Sequence, residues 1–172
     1  MMSEELIRQI GAPYFYVTAQ TSQVLDTWML GQILHQPTYA VRHIRGTKST
    51  RDHAFFDEIS AVLQFPYYFG ENWNAVNDCL QDLQWLPVAG YLLVITDAHL
   101  LFSEEADVDG GWRILIRQLA DAGEYWCQPG YATEPGTLPR PFHVVLQSST
   151  EADSQAVISR LIQLEYPFAM LL

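Results

Sequence analysis

Apolar runs alternate with amphipathic stretches along most of this chain, which is the pattern of an α/β protein. Residues 91–96 form a continuous apolar run, as expected for a strand buried on both faces. Helices are predicted where apolar residues recur every three or four positions. Predicted strands span 13–18, 39–44, 91–96, 142–147 and 168–172, and predicted helices span 22–34, 50–64, 72–85, 98–104, about 112–123 and 151–164.

A segment rich in proline and glycine, residues 128–141, separates the helix ending near Gly123 from the strand at 142. A connection of this length is unusual inside a compact domain. It is either a functional flap or a surface excursion. We favour the excursion, because the segment lacks a cluster of titratable groups.

The composition is that of a folded acidic protein, with 172 residues suited to a single domain, 49% hydrophobic and 17% charged residues. The net charge is −11, and residues 49–86 carry six acidic side chains against one basic side chain. Such a chain should repel nucleic acid and anionic membranes and attract a basic protein. A role of the charge in solubility alone is the alternative.

The first residues have an acidic flank without the apolar run of a signal peptide, and no stretch approaches the roughly 20 apolar residues of a membrane span. We therefore expect a cytoplasmic protein. Cys79 and Cys127 fit that compartment. A disulfide framework is excluded, and one bridge between them stays open as an alternative.

Signatures of catalysis and of cofactor binding are missing from the sequence. It contains no G-x-G-x-x-G, no P-loop and no G-x-S-x-G. Its five histidines lack the spacing of metal ligands. The acidic run 104–109 lacks the spacing of a calcium loop and is expected to cap the next helix. We predict a protein that is not an enzyme and that holds no cofactor or metal.

Residues 67–85 are the most informative part of the chain. An aromatic loop ends at Gly70, where glycine permits a sharp turn, and a helix is predicted from Asn72 as its N-cap. The helix carries polar residues where better helix formers would fit. One face is expected to pack inward with Trp73, Val76, Leu80 and Leu83, while Asn74, Asp78 and Gln81 form a polar stripe with Asn77 beside it.

The polar stripe, together with the rings of Tyr68 and Phe69, would form a compact patch of aromatic groups, amides and one carboxylate. Such patches are common binding hot spots. The alternative is a helix that merely faces solvent, with acids placed to suit its dipole. Asp78 lies beyond the first turn, where the dipole stabilises it little.

The stretch Phe-Pro-x-Tyr-Phe-Gly-Glu-Asn at 65–72, followed by Asp-Cys-Leu at 78–80, resembles the signature of the barstar family, small acidic proteins that block ribonucleases. Weaker similarity extends from about Tyr39 to Gln147. The resemblance implies a small parallel sheet of three core strands packed with helices. It places a barstar-like core at about 38–147, with an N-terminal extension 1–37 and a C-terminal extension 148–172.

In that family the loop and the following helix enter a ribonuclease active site, and an Asp occupies the position of a substrate phosphate. By motif position this residue is Asp78. The resemblance implies a cytoplasmic inhibitor or immunity protein, an antitoxin against a basic ribonuclease or related nuclease toxin. A barstar-fold interaction or regulatory module with a non-nuclease partner is the alternative.

The chain departs from the family's contact set at several positions. Phe69 replaces a tyrosine, Asn74 an Asp, Asn77 a Trp, and Gln118 takes the place of a Glu. Leu83 replaces another aromatic residue. These changes are compatible with a different toxin or with the alternative partner. The expected partner-binding residues are Tyr68, Phe69, Gly70, Asn72, Asn74, Asn77, Asp78, Gln81 and Gln118.

Overall fold

A sheet of five parallel strands in the order β2-β3-β4-β1-β5 organises the fold, which confirms the predicted α/β class. The computed structural model describes residues 8–35, 38–128 and 138–171. The strands are β1 (Phe15–Thr18), β2 (Tyr39–Arg45), β3 (Gly90–Thr96), β4 (Phe142–Gln147) and β5 (Phe168–Met170). The helices are α1 (Ser22–His35), α2 (Asp52–Leu63), α3 (Trp73–Asp82), α4 (Val108–Cys127) and α5 (Glu151–Gln163).

Helices cover the two faces of the sheet unequally. Side chains of α2, α3, α4 and α5 share one large hydrophobic core with residues of the strands. On the opposite face a smaller cluster packs beneath α1, around Leu25, Tyr16 and Val94. Because both faces are covered, the inner strand β3 is buried at every residue, as its continuous apolar sequence predicts.

The first and last strands widen the sheet beyond β4. β1 pairs with β4 along its whole length, and the short strand β5 pairs with the other side of β1. The last strand, predicted at 168–172, therefore forms one edge of the sheet. Without β1 and β5, the strand β4 would present an open edge, and open edges invite pairing with other chains.

Two helix ends differ from the sequence prediction. α3 stops at Asp82, not near Trp85, because Leu83 is fully buried in a left-handed conformation with φ 40°. α4 continues past Gly123 to Cys127. Gly123 therefore lies inside the helix and does not end it. A Cβ at this position would meet the Tyr14 ring at 2.6 Å, so close packing against Tyr14 requires the glycine.

Two further predictions changed. The helix expected at 98–104 is only a 3-10 turn, Ala98–Leu100. Residues 46–48 form a second 3-10 turn, which lies between β2 and α2. Cys79 and Cys127 are both free thiols, so the alternative of a disulfide is excluded. Residues 129–137, which make up most of the proline- and glycine-rich segment 128–141, lie outside the described residues. The flap and excursion interpretations both concern this part of the chain.

An ion pair between a buried carboxylate and a half-exposed guanidinium joins α2 to the edge strand β2. Glu58 is nearly buried, and the Arg45 guanidinium donates to both of its oxygens at 2.7 and 2.8 Å. These hydrogen bonds hold the pKa of the Glu58 carboxyl below its usual value. The pair fixes the helix that packs against the start of α3.

No helix in the described part of the chain is long and apolar enough to cross a bilayer.

We predict that Leu25→Ala lowers the free energy of unfolding by about 2–5 kcal/mol, because Leu25 is fully buried on the inner face of α1 and its truncation leaves a cavity. Urea denaturation measures this change. Leu30→Ala on the same helix is the matched control, since Leu30 is 56% exposed and its truncation should cost less than about 0.5 kcal/mol. Equal losses for both variants would show that α1 does not cover the sheet in this way.

Candidate protein-binding site

The start of α3 is fixed by Asn72, as predicted. Its side-chain oxygen accepts from the Ala75 N–H at 3.0 Å, and its amide donates to the Gly70 carbonyl at 2.9 Å. The left-handed residue in the turn is Glu71 with φ 46°, and not Gly70. Gly70 is needed instead for space, because a Cβ there would meet the Asn72 amide at 2.9 Å. Both residues, expected at the contact surface, therefore also hold the loop in shape.

The inward face of α3 is the predicted one. Val76, Leu80 and Leu83 are fully buried. Trp73 stacks on Phe55 with the ring centroids 5.5 Å apart. Its indole N–H donates to Asp52 at 3.3 Å, which anchors the first turn of α3 to the first turn of α2.

Two side chains of α4 hold α3 from the side through its backbone. Gln118 donates to the Trp73 carbonyl at 2.7 Å, and the Trp126 indole donates to the Leu80 carbonyl at 2.9 Å. Gln118 was expected as a contact residue, yet it is only 9% exposed. It lies in the floor of the groove described below, and direct contact between Gln118 and a partner stays a prediction.

The outward face of α3 is polar. Asn74 and Asp78 are exposed, while Asn77 and Gln81 are half-buried and joined by a hydrogen bond from the Gln81 side-chain amide to the side-chain Oδ1 of Asn77 at 3.2 Å. This face forms one wall of a groove of about 470 Å³ between α3 and α4. The groove is lined by Trp73, Asn74, Asn77, Asp78, Ile114, Arg117, Gln118 and Asp121.

Asp78 is the open carboxylate of this groove. Its side chain points out of α3, and no ion pair to it occurs among the described residues. On the facing wall, the Arg117 guanidinium lies 3.7 Å from Asp121 and is thus already paired. A cation arriving from outside would therefore meet an Asp78 carboxylate that forms no ion pair with the described residues.

Of the two rings expected at the surface of the loop before α3, Tyr68 is exposed as expected and Phe69 is not. Phe69 is half-buried and packs against Phe65, with centroids 4.9 Å apart, and against Phe56 at 6.4 Å. It anchors the loop. Tyr68 is 62% exposed, and Tyr67 is fully exposed. The sequence prediction omitted Tyr67, although its position in the same aromatic run was the available signal.

On α4, the groove also uses residues that no sequence pattern singles out. Ile114, Arg117 and Asp121 line its second wall. In the sequence they are simply positions outside the apolar stripe of an amphipathic helix. Only the packing of α4 beside α3 makes them part of one surface.

The Cys79 thiol is buried on the inner side of α3, behind the groove. Burial, with Asp82 and Asp78 nearby, raises the pKa of the Cys79 thiol to about 11, so the thiol is neutral at physiological pH.

In the acidic run before α4, Asp107 caps the helix by accepting from the Gly110 N–H, as expected. Among the described residues no group of three or more His, Cys, Asp or Glu side chains is placed to hold a metal ion.

Comparison with protein families gives the classification. The family model for barstar, described as barnase inhibitor, matches residues 39–147. The chain belongs to the barstar family. A search among curated proteins found no match. The matched segment runs from β2 to β4 and contains the whole of the groove, whereas β1, α1, α5 and β5 lie outside it.

We predict that Asn72→Ala lowers the free energy of unfolding by about 0.5–2 kcal/mol, because it removes the side-chain cap of α3. Chemical denaturation measures the loss. Asn72→Asp is the control, since an Asp at this position keeps the acceptor and should retain most of the stability. If the alanine variant were as stable as the wild type, the cap would not be what fixes this end of α3.

Proposed function

We propose that this barstar-family protein binds a basic ribonuclease, or a related nuclease toxin, and blocks its active site. The exposed Asp78 carboxylate on the wall of the α3–α4 groove carries the proposal. Nuclease active sites bind phosphate with Arg, Lys and His side chains, and a carboxylate offers those same groups a charged acceptor. Asp78 thus takes the position of an RNA phosphate.

Charge around the site supports a basic protein as the partner. The chain carries a net charge of −11, and residues 49–86 hold six acidic side chains against one basic side chain. A surface of this sign repels the phosphates of nucleic acid and of anionic membranes and attracts a basic cleft. The proposed partner is therefore a protein, and the proposed setting is the cytoplasm of a cell that makes or meets the toxin.

The remaining site residues receive separate roles. Asn74 is exposed in the groove with Asp78, Tyr68 is exposed on the preceding loop, and both contact the partner directly. Phe69, Gly70 and Asn72 keep the loop and the first turn of α3 in place, and Asn77 and Gln81 stabilise each other. Gln118 supports the groove from below. We propose no enzymatic activity for the chain.

One feature of the groove favours a second candidate, a barstar-fold interaction or regulatory module with a non-nuclease partner. Amides at Asn74 and Gln118 stand beside a cation, Arg117, so the groove is only partly negative. A partner fitted to it need not be as basic as a nuclease cleft. Inhibition assays separate this candidate from the first.

The direct test is RNA cleavage by barnase and a panel of purified basic microbial ribonucleases, with and without the protein. We expect inhibition of at least one enzyme. Asp78→Ala should weaken that complex by about 2–5 kcal/mol, because it leaves the enzyme's cations buried without a partner. Calorimetric titration gives the affinities.

Asp57→Ala is the matched control for that test. It removes an exposed acid from α2 and leaves the groove unchanged, so the affinity should stay close to that of the wild type. A panel without any inhibited enzyme would contradict the proposal. So would an inhibited enzyme that binds the Asp78→Ala variant as tightly as the wild type.

Association with the inhibited ribonuclease should be faster at low ionic strength, since salt screens attraction between an acidic surface and a basic cleft. Stopped-flow measurement between about 10 mM and 500 mM salt, where the Debye length falls from ~30 Å to only a few ångströms, gives the association rate constants. The dissociation rate should change much less. An association rate independent of salt would argue against a basic target.

A further inference from the structure

Tyr67 and Tyr68 form an exposed aromatic pair at the tip of the loop before α3. Their ring centroids lie 5.7 Å apart in an edge-to-face arrangement. Tyr67 is fully exposed and Tyr68 is 62% exposed, so neither ring contributes much to the core. Exposed tyrosines of this kind are typical of binding hot spots, where they supply a large contact area at low entropic cost.

The loop holds this pair in a defined position. The Phe69 N–H donates to the Pro66 carbonyl at 2.9 Å, which closes a turn around the two tyrosines. On either side of the turn, the Phe65 and Phe69 rings contact each other. Phe65 also contacts the Trp85 ring, with centroids 6.1 Å apart. The exposed rings therefore stand on a hydrophobic base that belongs to the core.

Asp82 ends α3 three residues before Trp85, whose ring contacts Phe65 at the base of the loop, so the end of α3 and the tyrosine loop share one side of the molecule. The negative charge of Asp82 reaches the Tyr68 hydroxyl and, after partial burial, is the next largest cause of the raised pKa of that group. α3 ends on Asp82 and has no basic residue in its last turn. A carboxylate at a helix C-terminus opposes the dipole, and Asp78 one turn earlier repels it. The Asp82 carboxylate therefore destabilises the helix that carries it.

No ion pair within the described residues compensates Asp82. The two rings offer negative π faces, and the carboxylate offers charged acceptors. A guanidinium group satisfies both, because it stacks on aromatic rings and donates in a fork to a carboxylate. We propose that Tyr67, Tyr68 and Asp82 form a second binding site, the tyrosine notch, for an arginine side chain of the protein partner.

The tyrosine notch is distinct from the α3–α4 groove, whose lining contains none of its three residues. Asp78 and Asp82 are four residues apart, which is about 6 Å along a helix axis. A partner that fills both sites thus presents two cationic groups roughly one helical turn apart. This inference extends the proposed function to the partner's chemistry, but the notch can be tested without a nuclease.

The test is an NMR titration of the full chain with N-acetyl-arginine amide at low salt, following the ring signals of Tyr67 and Tyr68. N-acetyl-citrulline amide, which has a similar shape without the charge, is the control ligand. The variants are Tyr67→Ala and Asp82→Asn, with Tyr67→Phe as the matched control because it keeps the aromatic face. Asp78→Asn checks that the groove does not cause the signal.

We expect arginine-dependent shifts in the wild type, in Tyr67→Phe and in Asp78→Asn, and much smaller shifts with citrulline. Tyr67→Ala and Asp82→Asn should each weaken arginine binding by about 3- to 5-fold. The melting temperature of Asp82→Asn should be equal to or above that of the wild type, which rules out unfolding as the cause. Equal shifts with both ligands, or an Asp82→Asn variant that binds arginine normally, would overturn the notch.

The second experiment measures the affinity of each variant for a ribonuclease that the wild type inhibits. Asp82→Asn should weaken that complex by a similar factor, and an unchanged affinity would exclude the notch from the interface. Failure of the notch and failure of the proposed function can be told apart, because the effect of Asp78→Ala on ribonuclease binding reports on the groove alone. Arginine binding at the notch without any inhibited ribonuclease would instead contradict the proposed function.

Discussion

α3 is held beside α4 by two side-chain hydrogen bonds to its backbone, and the site depends on them. Gln118 donates to the Trp73 carbonyl and Trp126 to the Leu80 carbonyl, one bond at each end of the buried face of α3. The Leu80 carbonyl lies in the last turn of α3, where helix carbonyls lack partners within the helix, so the Trp126 indole also completes that end of the helix. The two hydrogen bonds set the width of the groove and the direction of Asp78.

The same anchoring explains why the outward face of α3 tolerates residues that weaken it. Glu71 and Leu83, the residues that flank α3, adopt left-handed conformations costly for side chains other than glycine. Asp78 and Asp82 repel each other along the helix. Burial of Val76, Leu80 and Leu83 offsets these costs. The helix is stabilised from its inner side, which leaves its outer side free to suit a partner.

Much of the fold follows from local sequence patterns. The strands and the inward face of α3 were predictable because apolar spacing reports burial directly. The end of α3 was not, since Leu83 leaves the helix only because the core holds it. Gly123 looked like a helix end but serves contact with Tyr14, which is distant in sequence. Likewise, which rings of the loop face outward depends on Phe56 and Phe65, so Phe69 was assigned too much exposure and Tyr67 too little.

A crystal structure of the protein bound to a ribonuclease that it inhibits tests the central claim most directly. We expect the Asp78 carboxylate within hydrogen-bond distance, about 2.7–2.9 Å, of Arg or Lys nitrogens in the enzyme's phosphate pocket. α3 and its loop should fill the active site. An enzyme bound through α1 or the β5 edge, with Asp78 still facing solvent, would contradict the account.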